Sequence, residues 1–400
     1  PIVISAYGDE KAERPSLRYY TGYVREDVTE NVLTLRNANG VEISDLMVGF
    51  ANSGICFEYD TLNNQYLRIR NCHFHDIYGV TQANGFFKTM PFSAGMYWRW
   101  AGEKSHAEIE AAGEYAVEDV YVEECTAYDA GSLTGYNEGV KNLHMSKCVA
   151  ENNGYYGTVI TARGGSMDRC VFNNNGTRPM PVGSTGIMIS AVDFTITNSI
   201  ISNQQRQGDD PDGCGIDFEW CSRNVTIDNC LFEGNAGVGI MFFTSGNNGN
   251  LGENPGTNYD CTVKNCKFVN NNRNIGNIGG YDIFAVNAGC GGCVVENNEY
   301  LMDDSTGCET IGFELLLGDN DCKMENNVQI DAVAEDYNPL DGNDDSDREA
   351  AGNKEDRDKS VSGIPSHLQY LLGLAEGIVI VAVVCVILMI VKRKRRGANE

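Results

Sequence analysis

The chain has 400 residues, with 45 Gly against 9 Pro and 56 Asp+Glu against 30 Lys+Arg. A hydrophobic share of 42% excludes a disordered chain, and the acidic balance excludes a basic nucleic-acid binder. Length alone suggests two or three domains, but the arrangement of residues argues for one repeating body and an anchor.

The chain opens Pro1-Ile-Val-Ile-Ser-Ala-Tyr-Gly8, with no initiator Met, no basic n-region and no apolar h-region. Because the far end of the chain implies export, the expectation is a sequence that begins inside a domain. From residue 41 a short pattern recurs: apolar-x-apolar, two residues, Cys or a substitute, one residue, then an apolar or aromatic side chain. Copies include LRIRNCHF (67–74), LHMSKCVA (143–150), FTITNSII (194–201), VTIDNCLF (225–232) and CTVKNCKF (261–268). The marker falls at 46, 72, 125, 148, 170, 199, 230, 266, 298 and 327, at spacings of mostly 22 to 36 residues. One gap of 53, between Cys72 and Cys125, holds an insertion or a further coil. The period of two is that of strands. Second strands such as GIMISA (186–191) and GIDFEW (215–220), and Asn/Gly corners, complete each repeat. These features predict an all-β, parallel β-solenoid of about ten or eleven coils over residues 1–330. Stacked coils place Cys72, Cys125, Cys148, Cys170, Cys230 and Cys266 in one ladder, and Cys261, Cys293 and Cys322 in another, as free core thiols pointing in parallel. Cys290-Gly-Gly-Cys293 lacks a second pair at zinc spacing.

With this repeat and its opening octet, the chain resembles the right-handed parallel β-helix family, the pectate-lyase-like solenoids. The resemblance implies a carbohydrate-related role, either as a glycoside hydrolase or polysaccharide lyase or as a non-catalytic adhesin or glycan-binding solenoid. It also implies catalytic groups standing outward from one sheet beside long loops. The segment Gly208-Asp-Asp-Pro-Asp-Gly-Cys-Gly-Ile-Asp-Phe-Glu-Trp220 suits that position. If Ile216, Phe218 and Trp220 face the core, Asp217 and Glu219 face outward together, their Cα atoms roughly 6.5–7 Å apart. Asp217, Glu219 and Asp210 are the candidate catalytic carboxyls, one of them with a raised pKa. Asp209, Asp210 and Asp212 are candidate Ca2+ ligands, and no other cofactor signature appears.

The insertion carries Tyr97-Trp98-Arg99-Trp100, and Tyr97, Trp98 and Trp100 are candidate sugar-stacking groups. Arg163, expected on the same face as Ser190, is a candidate substrate-binding cation. His75-Asp76 reads as an oriented base or a turn cap. The Gly-His-Gly and Arg-x-Lys of polygalacturonases and the Trp-Ile-Asp-His of pectate lyases are absent. The expected ligand is a polysaccharide or surface glycan of low charge.

Residues 331–367 are acidic and read as a disordered spacer. Ile378–Val391 is apolar throughout, and Leu371–Val391 provides 21 residues, enough to span roughly 30 Å of hydrocarbon. The predicted transmembrane helix covers 368–391, and the basic tail 392–400, with Lys392-Arg-Lys-Arg-Arg396, is placed in the cytoplasm. Residues 1–370 then stand outside the cell membrane, with 25 basic and 54 acidic side chains, net −29.

Overall fold

Ten times along the chain the residue before the Cys-type marker takes a left-handed backbone conformation, from Asp45 to Asn326, with φ of 51–60°. Asn occupies six of these corners because its short polar side chain tolerates that region, whereas Glu124, Lys147 and Arg169 hold it at some cost. Similar corners recur five residues to either side, as at Asn142 and Asn152 around Lys147. Three such bends per repeat wrap short strands into three faces. The structure, a computed structural model, describes residues 2–6, 14–18, 31–77, 93–179, 183–219, 222–243, 258–273, 281–285, 290–301, 321–334 and 337–341.

Among the described residues all strand pairings are parallel, and the register carries from coil to coil except for a shift between Thr134 and Asn137 against Ala94–Trp100. One face is a sheet with a path of eleven strands from Ile2–Ser5 to Lys323–Glu325. The second face has eleven strands from Ser16–Arg18 to Val328–Gln329. The third is made of a four-stranded and a five-stranded sheet. These meet where Leu133 N donates to Gly157 O at 2.8 Å and the Thr134 and Thr158 hydroxyls lie 2.6 Å apart. Eleven coils result, matching the count read from the repeat.

The apolar-x-apolar pairs fill the interior: Ile43, Leu67 and Ile69, Val120 and Val122, Phe194 and Ile196, and Val225 and Ile227 are all buried. All described cysteines are free, and the marker ladder works through the thiol's dual polarity. Cys148 N reaches Cys170 Sγ at 3.4 Å, while the Cys148 thiol donates to Val122 O at 3.4 Å. Ser199 and Asn298 do the same work, accepting from Cys170 N at 3.1 Å and Cys266 N at 2.8 Å. A second interior ladder, not anticipated from the sequence, runs Asn153, Asn175, Gln204, Asn235 and Asn271, all buried. Each side-chain oxygen accepts the backbone N–H of the preceding coil, and the amides of Asn175, Gln204, Asn235 and Asn271 each donate to a carbonyl. Asn175, in a nominal glycosylation sequon, is therefore committed to the core.

The gap between Cys72 and Cys125 is a single coil with long corners. Its third-face strand is Ala94–Trp100, followed by the helix His106–Ala111, closed by a Ser105–Glu108 capping box. Ile109 of that helix is fully buried, beside Gly139.

The acidic segment expected as a spacer from residue 331 is not all spacer. Tyr337 lies over Lys267 of the second face, the ammonium 4.5 Å from the ring centroid, and Pro339 in the short 3-10 turn Pro339–Asp341 is buried. The compact unit accordingly extends from Pro1 to Asn343. These few apolar side chains find a partner because the second sheet presents an outward face beside them. Among the described residues no helix is long and apolar enough to cross a membrane. The rest of the spacer, the predicted span 368–391 and the tail 392–400 lie outside the described residues, as does Trp220.

Candidate active site

Asp217 lies on the third-face strand Cys214–Phe218, with register partners Met188 on one coil and Met241 on the next. Its neighbours Ile216 and Phe218 point into the core, Phe218 stacking on Phe242 at 4.5 Å. Strand parity thus turns Asp217 outward with Glu219, as the period of two predicts. Outward here does not mean wet. Asp217 is 3% exposed, and the same outward column holds buried Val159, Met188 and Met241. Glu219 is more open than Asp217, and its backbone N–H donates to Ile189 O at 2.8 Å.

The two carboxyl groups are hydrogen-bonded to each other, while Asp217 Oδ1 and Glu219 Oε2 are buried without a partner. Two carboxyls can share a hydrogen bond only if one carries a proton. Burial, followed by the charges of Glu219 and Asp212, drives the Asp217 carboxyl far above the ordinary carboxylate range. Burial likewise lifts Glu219 to about 7. At neutral pH the pair therefore keeps at least one proton, with one oxygen of each group uncommitted.

The preceding loop divides its aspartates. Asp210 is buried and serves as a corner clamp: its Oδ1 accepts from Ser184 N at 3.1 Å and Asp212 N at 2.9 Å, and its Oδ2 accepts from the Ser184 hydroxyl. Asp212 sits against Gly183, whose φ of +101° and missing Cβ make room; a Cβ there would lie 1.6 Å from Asp212 Oδ2. Burial, then the charges of Asp210 and Glu219, raise Asp212 to about 8. Asp209 is exposed in the turn. The three are thus not gathered around one point, and among the described residues no group of three or more His, Cys, Asp or Glu is placed to hold a metal ion. The expected Ca2+ cluster is corrected on this ground: Asp210 spends its oxygens on backbone N–H groups and a hydroxyl, and Asp209 turns to solvent.

Two tyrosines complete the site. Tyr136, from the strand Thr134–Asn137, and Tyr156, from Tyr156–Ile160, belong to one apolar cluster with Val159 and Met188. Burial raises both phenols well above their usual range, and the charge of Glu219 adds to it in each. Asp212 and Asp217 add further to Tyr156. No spacing distinguishes these two among 19 tyrosines, and only the stacking of coils brings them to Asp217.

The other candidates do not join this cluster. Trp98 is 1% exposed and points inward, stacked on Phe57 at 5.2 Å, so it is a core residue rather than a sugar platform. The physical reason is that Tyr97-Trp98-Arg99-Trp100 is strand, and parity assigns Met96 and Trp98 to the interior. Tyr97 points outward on the third face but is buried, and its hydroxyl pairs with Asn31. It stands four coils before Asp217, roughly 19 Å at about 4.8 Å per coil. Trp100 packs partly against the core and its indole N–H donates to Lys104 O at 2.6 Å. Arg163 opens a strand of the first sheet, not the third, and forms a two-point pair with Glu110 at 3.0 and 3.1 Å. That pair fixes the helix His106–Ala111 to the solenoid. His75 and Asp76 pair at 3.1 Å on the second face.

A family model described as "Right handed beta helix region" matches residues 63–254 and 138–329, which together take in most of the coils above. The chain belongs to the right-handed β-helix family. No curated protein matches it. Among solved structures, this β-helix protein is similar to a GH136 lacto-N-biosidase from Eubacterium ramulus, in a selenomethionine and a native crystal, at TM-scores of 0.56 and 0.53. Identity is 12% in both, and the match covers 82% of this chain but 58% of that one. A mannuronan C-5 epimerase A-module from Azotobacter vinelandii follows at a TM-score of 0.47 and 14% identity, covering 79% of this chain and 85% of that one. At such identities the likeness establishes the fold, and the chemistry of the β-helix protein has to be argued from its own third face.

Proposed function

We propose that this β-helix protein acts on a polysaccharide or surface glycan of low charge, as a glycoside hydrolase whose proton-transfer group is the Asp217–Glu219 pair. The observation that carries the reading is the pair of adjoining carboxyls on the third face, each with a buried oxygen that has no partner. A buried acid kept protonated near neutral pH can donate to a departing glycosidic oxygen, and its partner carboxylate stabilises the charge that follows. Carboxyls in mutual hydrogen bond stand closer than the roughly 5–5.5 Å of a retaining acid–nucleophile pair, so the dyad functions as one acid–base unit. Tyr136 and Tyr156 line the same cluster and exclude water from it. The likeness in fold to a protein named for lacto-N-biosidase activity supports a glycan as substrate class.

The polysaccharide-lyase form of the reading would use the same pair as base. A second reading, a non-catalytic glycan-binding solenoid, draws on the 3% exposure of Asp217, which suits a structural acid pair as well as a reactive one. In either case we place the solenoid outside the cell membrane, held by the span 368–391 with the basic tail in the cytoplasm.

The test is turnover by the purified protein across a glycan panel, with and without Ca2+. Hydrolysis that falls by about 10²-fold or more in Asp217→Asn and in Glu219→Gln supports the dyad. The enzyme reading is overturned if no glycan is turned over, or if both variants turn over like the parent. Binding that survives both substitutions without turnover favours the second reading.

A further inference from the structure

The thiols of the last coils differ from the rest of the ladder. Cys261, Cys293 and Cys322 stand one above another, each just before a first-sheet strand whose register runs Thr262, Val294, Lys323. Stacked in this way their Cα–Cβ bonds point in parallel, which keeps neighbouring sulfurs from bonding. Cys290 is outside the stack. It begins the short strand Cys290–Gly291, opposite Asn258, and approaches from three residues upstream. Its Sγ lies 3.6 Å from that of Cys322 on the following coil. The Cys293 thiol, in the stack, is directed to Gly291 O at 3.5 Å and Asn258 O at 3.8 Å. Access is graded: Cys322 is partly exposed, whereas Cys261, Cys290 and Cys293 are buried.

We propose that Cys290 and Cys322 form an inter-coil disulfide by exchange with a small-molecule disulfide, Cys322 attacking first and Cys290 resolving. In the first step the Cys322 thiolate bonds to one sulfur of the reagent, whose S–S bond breaks and whose other half leaves as a thiol. In the second, the sulfur of Cys290 bonds to that of Cys322 and the remaining half of the reagent leaves as a second thiol. The protein loses two electrons and two protons, and the reagent gains both. The sulfurs need to close from 3.6 Å to about 2.05 Å, a side-chain adjustment rather than a coil displacement. The proton Cys290 gives up goes to the departing thiolate of the reagent, which leaves as the thiol. The product staples the last described coil to the one before it.

The experiment uses the full chain, reduced, desalted and incubated with oxidised glutathione, followed by alkylation, intact mass and peptide mapping. The expected result is the loss of two alkylatable thiols and a linked peptide pair containing Cys290 and Cys322. In Cys290→Ser the reaction is expected to stop at a glutathione adduct on Cys322, and in Cys322→Ser neither adduct nor link forms. The proposal is overturned if the parent keeps all its thiols, if Cys322 links to Cys293 instead, or if Cys290→Ser still cross-links. The parent's peptide map decides the matter alone if a variant does not fold.

Discussion

The interior Asn ladder and the Asp217–Glu219 dyad lie on the same solenoid and treat buried polarity in opposite ways. In the ladder, Asn235 Oδ1 accepts from Gln204 N at 3.1 Å, and its amide donates to Ile201 O at 3.2 Å and Asn271 Oδ1 at 2.8 Å. For Asn235 nothing is left over and the side chain is neutral, and only at Asn153 does a ladder amide nitrogen go without a partner. In the dyad one oxygen on each acid has no partner, and a proton must be retained to keep two charges from facing each other. Repetition satisfies most buried polar atoms, and these two oxygens are among those it leaves without a partner. That contrast, rather than acidity as such, is the ground on which the third face is proposed as the site.

The ladder side of the comparison breaks most severely. Asn235→Ala strips the partners from a buried N–H and a buried carbonyl, and is expected to cost about 4 kcal/mol. Chemical denaturation checks it, and a loss below about 1 kcal/mol would mean that the ladder is ornamental.

Asp282 stands between the two cases. It is fully buried, its Oδ1 accepts from Asn271 Nδ2 at 3.1 Å, its Oδ2 has no partner, and burial raises it to about 7. A carboxyl whose pKa is higher folded than unfolded contributes its stability in full below about pH 4. That contribution is lost as pH rises toward the folded value near 7. Asp282→Asn is therefore expected to raise stability at pH 8 by about 3 kcal/mol and to flatten the decline between about pH 4 and 7. Melting curves across that range read it directly, and an unchanged slope would place the unfavourable proton elsewhere. Glu219 and Asp212, raised to about 7 and about 8, add declines of the same sign near neutrality.

The smallest effect belongs to the corners. Lys147 holds φ of 53° where Asn198, Asn229 and Asn265 hold the same corner in other coils. It is exposed, so Lys147→Asn is expected to add about 0.5–1 kcal/mol without touching either site. A neutral or lower melting temperature would show that the corner is already relaxed.

Much of this was legible before any coordinates. The period of two, the recurring marker and the Asn-rich corners specify a parallel solenoid of about ten or eleven turns, because each is a local property repeated at one place in every coil. The same parity placed Asp217 and Glu219 side by side on the outward edge of their strand. The same alternation places Trp98 inside once Ala94–Trp100 is strand. The Asn ladder was mistaken for turn chemistry because Asn serves both uses: Asn174 holds a corner and Asn175, its neighbour, faces the core.

What sequence alone determined was therefore direction, the face of the strand on which each side chain emerges, since alternation follows from backbone geometry. What only the tertiary structure decided was environment. Whether outward means water, as for Asp209, or a buried cluster with Met188, Tyr136 and Tyr156, as for Asp217, depends on chain brought in from other coils. The proton on the dyad, like the closeness of Cys290 to Cys322, follows from that non-local packing, because desolvation and like-charge repulsion are set by neighbours in space rather than in sequence.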